Sequence, residues 1–178
     1  MNYAILKPIK LLLLDVDGVL TNGQIIYDSN GGELKCFNVC DGLGIRLLMR
    51  AGIEVGVITG RVSDVVRHRC ANLGITIIYQ GVKDKRKAFN EILAEGRFCK
   101  EETAYMGDDL IDIPLLDNVG VPIAVANAHE LVKQRSALTT SRPGGDGGVR
   151  DVCEWILKAK GLWEGAIAEF INSPPLLS

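Results

Sequence analysis

Short apolar runs alternate with stretches of helical period along most of the chain. Residues 9–14 form a compact apolar run that stops at an acidic turn, as a strand buried on both faces does. Residues 54–58, 76–79, 103–106 and 121–125 repeat that pattern. Between them, helices are expected over 42–51, 63–73, 84–95 and 110–118. Gly52, Gly74, Gly96 and Gly120 stand where those helices should stop. Strand and helix in alternation predict an α/β fold, a Rossmann-like, doubly wound parallel sheet with helices on both faces.

One segment breaks the alternation. Residues 24–27 and 33–38 are strand-like and flank Asp28-Ser29-Asn30-Gly31-Gly32. Asn-Gly between two such runs signals a tight hairpin turn, so a β-hairpin over about 24–38 should project after the first strand. Pro143 to Gly148, P-G-G-D-G-G, reads as a flexible loop. A last helix is expected over about 149–160. The segment 161–178, with Pro174-Pro175, should fray or dock elsewhere. The expected organisation is therefore one domain over 1–160 and a C-terminal tail.

Composition narrows the function classes. The 178 residues carry 20 Lys and Arg against 22 Asp and Glu, a net charge of −2, which argues against a nucleic-acid partner. No run approaches the ~20 apolar residues that span a bilayer, and no secretory leader pattern opens the chain. The five cysteines, Cys36, Cys40, Cys70, Cys99 and Cys153, are odd in number and scattered, and neither His68 nor His129 completes a zinc spacing. Free thiols in a reducing cytoplasm are expected.

Candidate chemistry gathers where ligands bind in such sheets, at the carboxyl ends of the strands. The first strand runs into Asp15-Val16-Asp17-Gly18-Val19-Leu20-Thr21, the next parallel strand into Thr59-Gly60-Arg61. Lys83-Asp84-Lys85 opens a helix, and Gly107-Asp108-Asp109-Leu110-Ile111-Asp112 follows a later strand. On an extended backbone Asp15 and Asp17 point to one side. Asp108, with Asp109 or Asp112 beside it, would crowd further negative charge there. Each pair at ~4 Å repels by roughly 4 kcal/mol at an effective dielectric of about 20, so a cation is required. All-oxygen ligation with open positions suits Mg²⁺, which also takes substrate phosphates. An Asp screened in this way can attack phosphorus, a second carboxyl can protonate the leaving oxygen and then activate water, and Lys and Thr can stabilise the transferring group. Taken singly, each motif has a plainer reading. Asp-Gly and Thr-Gly make turns, Lys85 could be a solvated helix charge, and Asp109 could cap a helix.

Taken together and in this order, the four motifs resemble the haloacid dehalogenase (HAD) superfamily of phosphotransferases. That resemblance implies Asp15 as nucleophile, Asp17 as general acid and base, and Thr59 and Lys85 as holders of the phosphoryl group. It places Mg²⁺ on Asp15, the Asp17 backbone carbonyl and Asp108, with Asp109 and Asp112 in support. The 44 residues from Asp15 to Thr59 and the 23 from Lys85 to Asp108 leave no room for a cap domain, so an adjacent subunit is the simple candidate to cover the site.

Residues 15–44, Ile58-Thr59-Gly60-Arg61, Tyr79-Gln80-Gly81, Tyr105 to Asp112 and the glycine-rich segment 144–152 further resemble the 3-deoxy-D-manno-octulosonate (KDO) 8-phosphate phosphatases. That family is capless and tetrameric, with each site roofed by a neighbour. It implies hydrolysis of the eight-carbon sugar-acid phosphate in lipopolysaccharide synthesis, with Thr59, Gly60, Arg61 and Lys85 on the substrate. Three positions depart from the family pattern: Asn22 replaces Asp, Cys40 replaces the usual Arg of F-N-V-R-D-G, and Asp146 stands where a basic or neutral residue is common. A nine-carbon sugar-acid phosphate or another sugar phosphate is the alternative substrate. The non-enzymatic alternatives are a receiver-like signalling domain, which would place its lysine after the last acidic cluster, and an inactive tetrameric scaffold.

Overall fold

The computed structural model describes residues 3–172. Its strands and helices follow in the order β1 (Leu11–Leu14), β2 (Ile26–Tyr27), β3 (Glu33–Leu34), α1 (Val39–Arg50), β4 (Glu54–Ile58), α2 (Asp64–Leu73), β5 (Ile77–Tyr79) and α3 (Lys85–Ala94). There follow β6 (Thr103–Gly107), α4 (Ile113–Leu116), β7 (Val121–Ala124), α5 (Glu130–Arg135), β8 (Leu138–Thr139), α6 (Gly148–Ala159) and α7 (Trp163–Asn172). Six strands make one parallel sheet in the order β5-β4-β1-β6-β7-β8, and β2 pairs antiparallel with β3.

All four leucines of β1 are fully buried at the centre of that sheet. Burial on both faces is why an unbroken apolar run, not an alternating one, marks this strand. Right-handed crossovers place α1 and α2 on one face and α3, α4 and α5 on the other. The amphipathic α6 buries Val149, Val152, Cys153, Ile156 and Leu157, spaced by three and four, and packs along α1. From β1 the chain first crosses to β4 and β5, then returns to β6 on the other side. The carboxyl ends of β1, β4 and β6 therefore frame the crevice where the strand order reverses.

Several boundaries differ from expectation. α1 begins at Val39 rather than residue 42, because the Asn38 carboxamide accepts from Cys40 N (2.7 Å) and Asp41 N (3.3 Å). The single helix expected over 110–118 is a 3-10 turn, Leu110–Asp112, running into the short α4. α5 and β8 had no counterpart in the sequence reading. Gly52, Gly74 and Gly96 take the left-handed conformation at helix ends, but Gly120 does not. A Cβ at Gly120 would lie 2.5 Å from the Lys100 carbonyl, so close packing explains that glycine. The hairpin forms with shorter arms than expected. Between Leu14 and Glu54 the chain makes the hairpin and α1 and nothing larger.

The P-G-G-D-G-G segment is pinned, not flexible. Gly145 N donates to the Val19 carbonyl at 2.9 Å, and Gly144 N to Asn127 Oδ1 at 2.9 Å. A Cβ on Gly144 would collide with the Gly18 carbonyl, so glycine here allows contact between two backbones. Gly147 caps α6 without a side chain. The buried Asp41 of α1 substitues for it, accepting from Gly147 N (3.3 Å) and Arg150 N (2.8 Å). Of the expected tail, residues 163–172 form α7, whose Trp163, Ala166, Ile167 and Phe170 pack against the core. Residues 173–178, with the two prolines, lie outside the described residues. Among the described residues no helix is long and apolar enough to cross a membrane.

Candidate active site

The loop after β1 is built around one carbonyl. The N–H groups of Val19, Leu20 and Thr21 all donate to Val16 O, at 3.2, 2.9 and 3.0 Å. The buried Thr21 hydroxyl accepts from Gly18 N (3.4 Å) and Gly23 N (3.2 Å) and donates to Val16 O (3.3 Å). The threonine of D-V-D-G-V-L-T is thus the internal tie of the loop. Because the loop is coiled, the extended backbone that was expected to put Asp15 and Asp17 on one side is absent. Both still line one cleft of about 260 Å³, together with Gly23, Thr59, Gly60, Arg61, Asp108, Asp109 and Ile111. Their surroundings differ. Asp15 is buried and faces the Lys85 ammonium at 2.9 Å. Asp17 lies at the rim, where Lys35 and Arg61 pair with it.

Lys85 opens α3, whose cap is Asp84. Its ammonium is buried and donates to Asp112 Oδ1 (2.6 Å) and the Tyr105 hydroxyl (2.9 Å) as well as facing Asp15. Burial alone would lower its pKa, but Asp15 and Asp112 outweigh that and raise it, so the group stays charged. Asp112 is wholly buried and its two oxygens are fully used. Oδ1 accepts from Lys85 and from the Tyr105 hydroxyl (2.5 Å), and Oδ2 from Asp108 N (2.8 Å) and Asp109 N (3.2 Å). Burial, with Asp112 and Asp15 nearby, raises the Tyr105 pKa well above that of a free phenol, which keeps it a donor.

Asp15, Asp108 and Asp112 each bring a carboxylate oxygen to within 4.8 Å of the others. Burial first, then neighbouring charge, pushes Asp15 up to about 6 despite Lys85, and Asp108 up to about 7. Carboxylates crowded until they resist ionisation are what a hard divalent cation relieves. Since Asp112 is saturated by its four donors, Asp15 and Asp108 are the side chains left to hold one. Gly18 makes their approach possible: it sits at φ +96°, and a Cβ there would run into the Asp108 carboxylate.

Thr59 lines the cleft; its hydroxyl accepts from Arg61 N at 3.4 Å, and Thr59 N donates to Tyr79 O at 2.9 Å. Arg61 Nη2 donates to the Tyr27 hydroxyl at 2.8 Å. Asp109 lines the cleft and also caps the following turn, accepting from Leu110 N at 2.7 Å. Sequence reasoning missed Lys35, Glu33, Tyr27 and Tyr105. Tyr105 was hidden inside an apolar strand. The first three sit in the hairpin, where their periodicity reads as solvent-facing. Asn22 and Cys40, two of the departures noted above, are both exposed.

Residues 72–152 match the family model of haloacid dehalogenase-like hydrolases. Over 165 residues the chain is 48% identical to 3-deoxy-D-manno-octulosonate 8-phosphate phosphatase KdsC of Escherichia coli K12, covering 93% of this chain and 88% of that protein. Among solved structures, the Moraxella catarrhalis phosphatase in complex with magnesium ion, phosphate ion and KDO superposes with a TM-score of 0.91 at 43% identity, covering 94% of this chain and 97% of that one. The cobalt-bound Haemophilus influenzae enzyme superposes at 0.88 and 40% identity, covering 92% and 99%. An acidic cleft at the strand-order reversal, with a buried lysine between two aspartates, is thus joined to close likeness over nearly the whole chain. The chain belongs to the 3-deoxy-D-manno-octulosonate 8-phosphate phosphatase family of the haloacid dehalogenase-like hydrolases.

Proposed function

We propose that this chain is a Mg²⁺-dependent phosphomonoesterase that hydrolyses 3-deoxy-D-manno-octulosonate 8-phosphate to the free sugar acid and phosphate, in lipopolysaccharide synthesis. The observation that carries the reading is the buried Asp15 carboxylate facing Lys85 at the base of a cleft it shares with Asp17, Thr59 and Asp108. Asp15 attacks phosphorus, and the bond from phosphorus to the sugar oxygen breaks as the aspartyl-phosphate forms. Asp17 gives its proton to the departing oxygen, then takes one from the water that attacks phosphorus and releases Asp15. Thr59, Gly60 and Lys85 bind the phosphoryl oxygens, and Arg61 pairs with an anionic group of the substrate. Asp15, Asp108 and the Asp17 carbonyl hold Mg²⁺, which when bound offsets charge on the phosphoryl group. Asp112 fixes Lys85 and the loop that carries Asp108, and Asp109 braces the turn.

A homotetramer in the cytoplasm fits this reading. The hairpin exposes Ile25, Ile26, Tyr27 and Leu34 together, an apolar surface that a second copy would cover. Sedimentation at micromolar concentration should show a tetramer; an active monomer refutes a site shared between subunits. Cys40, where the family commonly has arginine, supports a second reading in which the substrate is a nine-carbon sugar-acid phosphate or another sugar phosphate. A phosphate-release assay over eight-carbon and nine-carbon acid phosphates and a hexose phosphate separates these readings. The eight-carbon acid phosphate should be turned over fastest, chelator should silence the reaction, and Mg²⁺ should restore it. Preference for the hexose phosphate, or indifference to chelator, overturns the assignment.

A further inference from the structure

The hairpin reaches back onto the site of its own chain. Lys35, one residue past β3, keeps only 1% of its side chain exposed, an unusual burial for lysine. Its ammonium bonds Asp17 Oδ1 and lies 3.3 Å from Glu33 Oε1. Glu33 also accepts from the Ser63 hydroxyl at 2.5 Å, just before α2, and from Arg61 Nη2 at 3.4 Å. Arg61 Nε stands 3.8 Å from the other Asp17 oxygen. Two cations and two carboxylates thus form one closed set, tied to the hairpin on one side and to α2 on the other.

Asp17 is the carboxylate of that set that lines the cleft, beside Arg61. Left alone, a partly exposed aspartate at the end of a coiled loop would sample several rotamers. Here one oxygen is held by a lysine whose stem is buried, and the other faces a guanidinium. A misplacement of ~1 Å in a reacting group can cost about 100-fold in rate, so holding this carboxylate in one direction matters to turnover. We propose that Lys35 is a positioning residue for the hydrolysis, fixing from the hairpin the direction in which the Asp17 carboxylate faces the cleft. The inference rests on the reading of Asp17 as the acid and base group.

The test uses two leaving groups on the full chain. A sugar oxygen must be protonated to depart, whereas p-nitrophenolate leaves without a proton. Lys35→Met should lower kcat on the sugar-acid phosphate ~30-fold, a partial loss of the roughly 100-fold to 10,000-fold that a positioned proton donor supplies. KM should stay within about threefold, and so should the first-turnover release of p-nitrophenolate. Lys35→Arg, which returns the cation, should recover kcat to within about fivefold of the parent. Equal losses on both substrates, or a rise in KM alone, overturn the positioning role. Asp17→Asn is run beside them. If it shows the leaving-group dependence and Lys35→Met does not, the role of Lys35 fails alone; if it shows none, the reading of Asp17 fails and the inference with it. Should Lys35→Met not fold, Glu33→Gln loosens the same ammonium from its second partner. It should then show the same split between substrates, and its absence overturns the proposal.

Discussion

Asp15→Asn is expected to abolish phosphate release, lowering kcat by at least ~10⁴-fold, as loss of a nucleophile does elsewhere, while the protein stays folded. The amide is close in shape to the carboxylate but cannot form the aspartyl-phosphate. Stability should not suffer, because Asp15 is buried at a cost. Its pKa rises from the ordinary carboxylate range to about 6, chiefly from burial. A carboxyl raised in the folded state detracts from stability as pH climbs through that interval. At neutral pH the metal-free variant should therefore melt no lower than the parent, with Lys85 still held by Asp112 and Tyr105. Turnover within about tenfold of the parent would sink the nucleophile assignment. A fall in melting temperature of more than ~5 °C, or over 1 kcal/mol, would mean that Asp15 serves mainly to hold Lys85.

Asp112→Ala should have the opposite character, a large loss of stability. Alanine removes the acceptor of four hydrogen bonds from a wholly buried place. It strands the Tyr105 hydroxyl and two backbone N–H groups and leaves the Lys85 ammonium to Asp15 alone. Breaking a buried charge pair from one side costs about 3–5 kcal/mol. For a chain of this length that lowers the melting temperature by roughly 6–20 °C. Asp112→Asn keeps one acceptor oxygen and should lose less. Calorimetry decides between them, and a drop for alanine below ~3 °C, the effect of about 1 kcal/mol, would remove Asp112 from its structural role.

These two residues also show what the sequence could and could not disclose. Asp15 was legible because it ends a strand buried on both faces, where an apolar run must give way to polar chemistry at the sheet edge. Asp112 was legible only as a supporting carboxylate, since its saturation depends on Tyr105, which sits in an apolar strand and points inward. The central strands β1, β4, β6 and β7 were readable for the same reason as Asp15. β8 is two residues long and α5 buries Val132 alone, so neither carries enough periodicity to be seen. The Asn38 cap was a local signal and could have set the start of α1. The role of Lys35 could not be read locally. A lysine after a short exposed strand normally faces water, and only the return of the hairpin to Asp17 gives it a partner.

The pinned glycine-rich loop bears on when this protein becomes an enzyme. Asp41 and the Gly147 and Arg150 amides it caps are separated by 106 and 109 positions. Closures over so long a span cannot be drawn early, since entropy opposes them until much of the chain has condensed. The loop they secure backs the turn that carries Asp17 and Gly18. On the ribosome, then, a nascent chain that has emerged only through β7 would hold all four catalytic motifs and still lack the support behind the first. Competence should arrive late and all at once, when α6 leaves the exit tunnel.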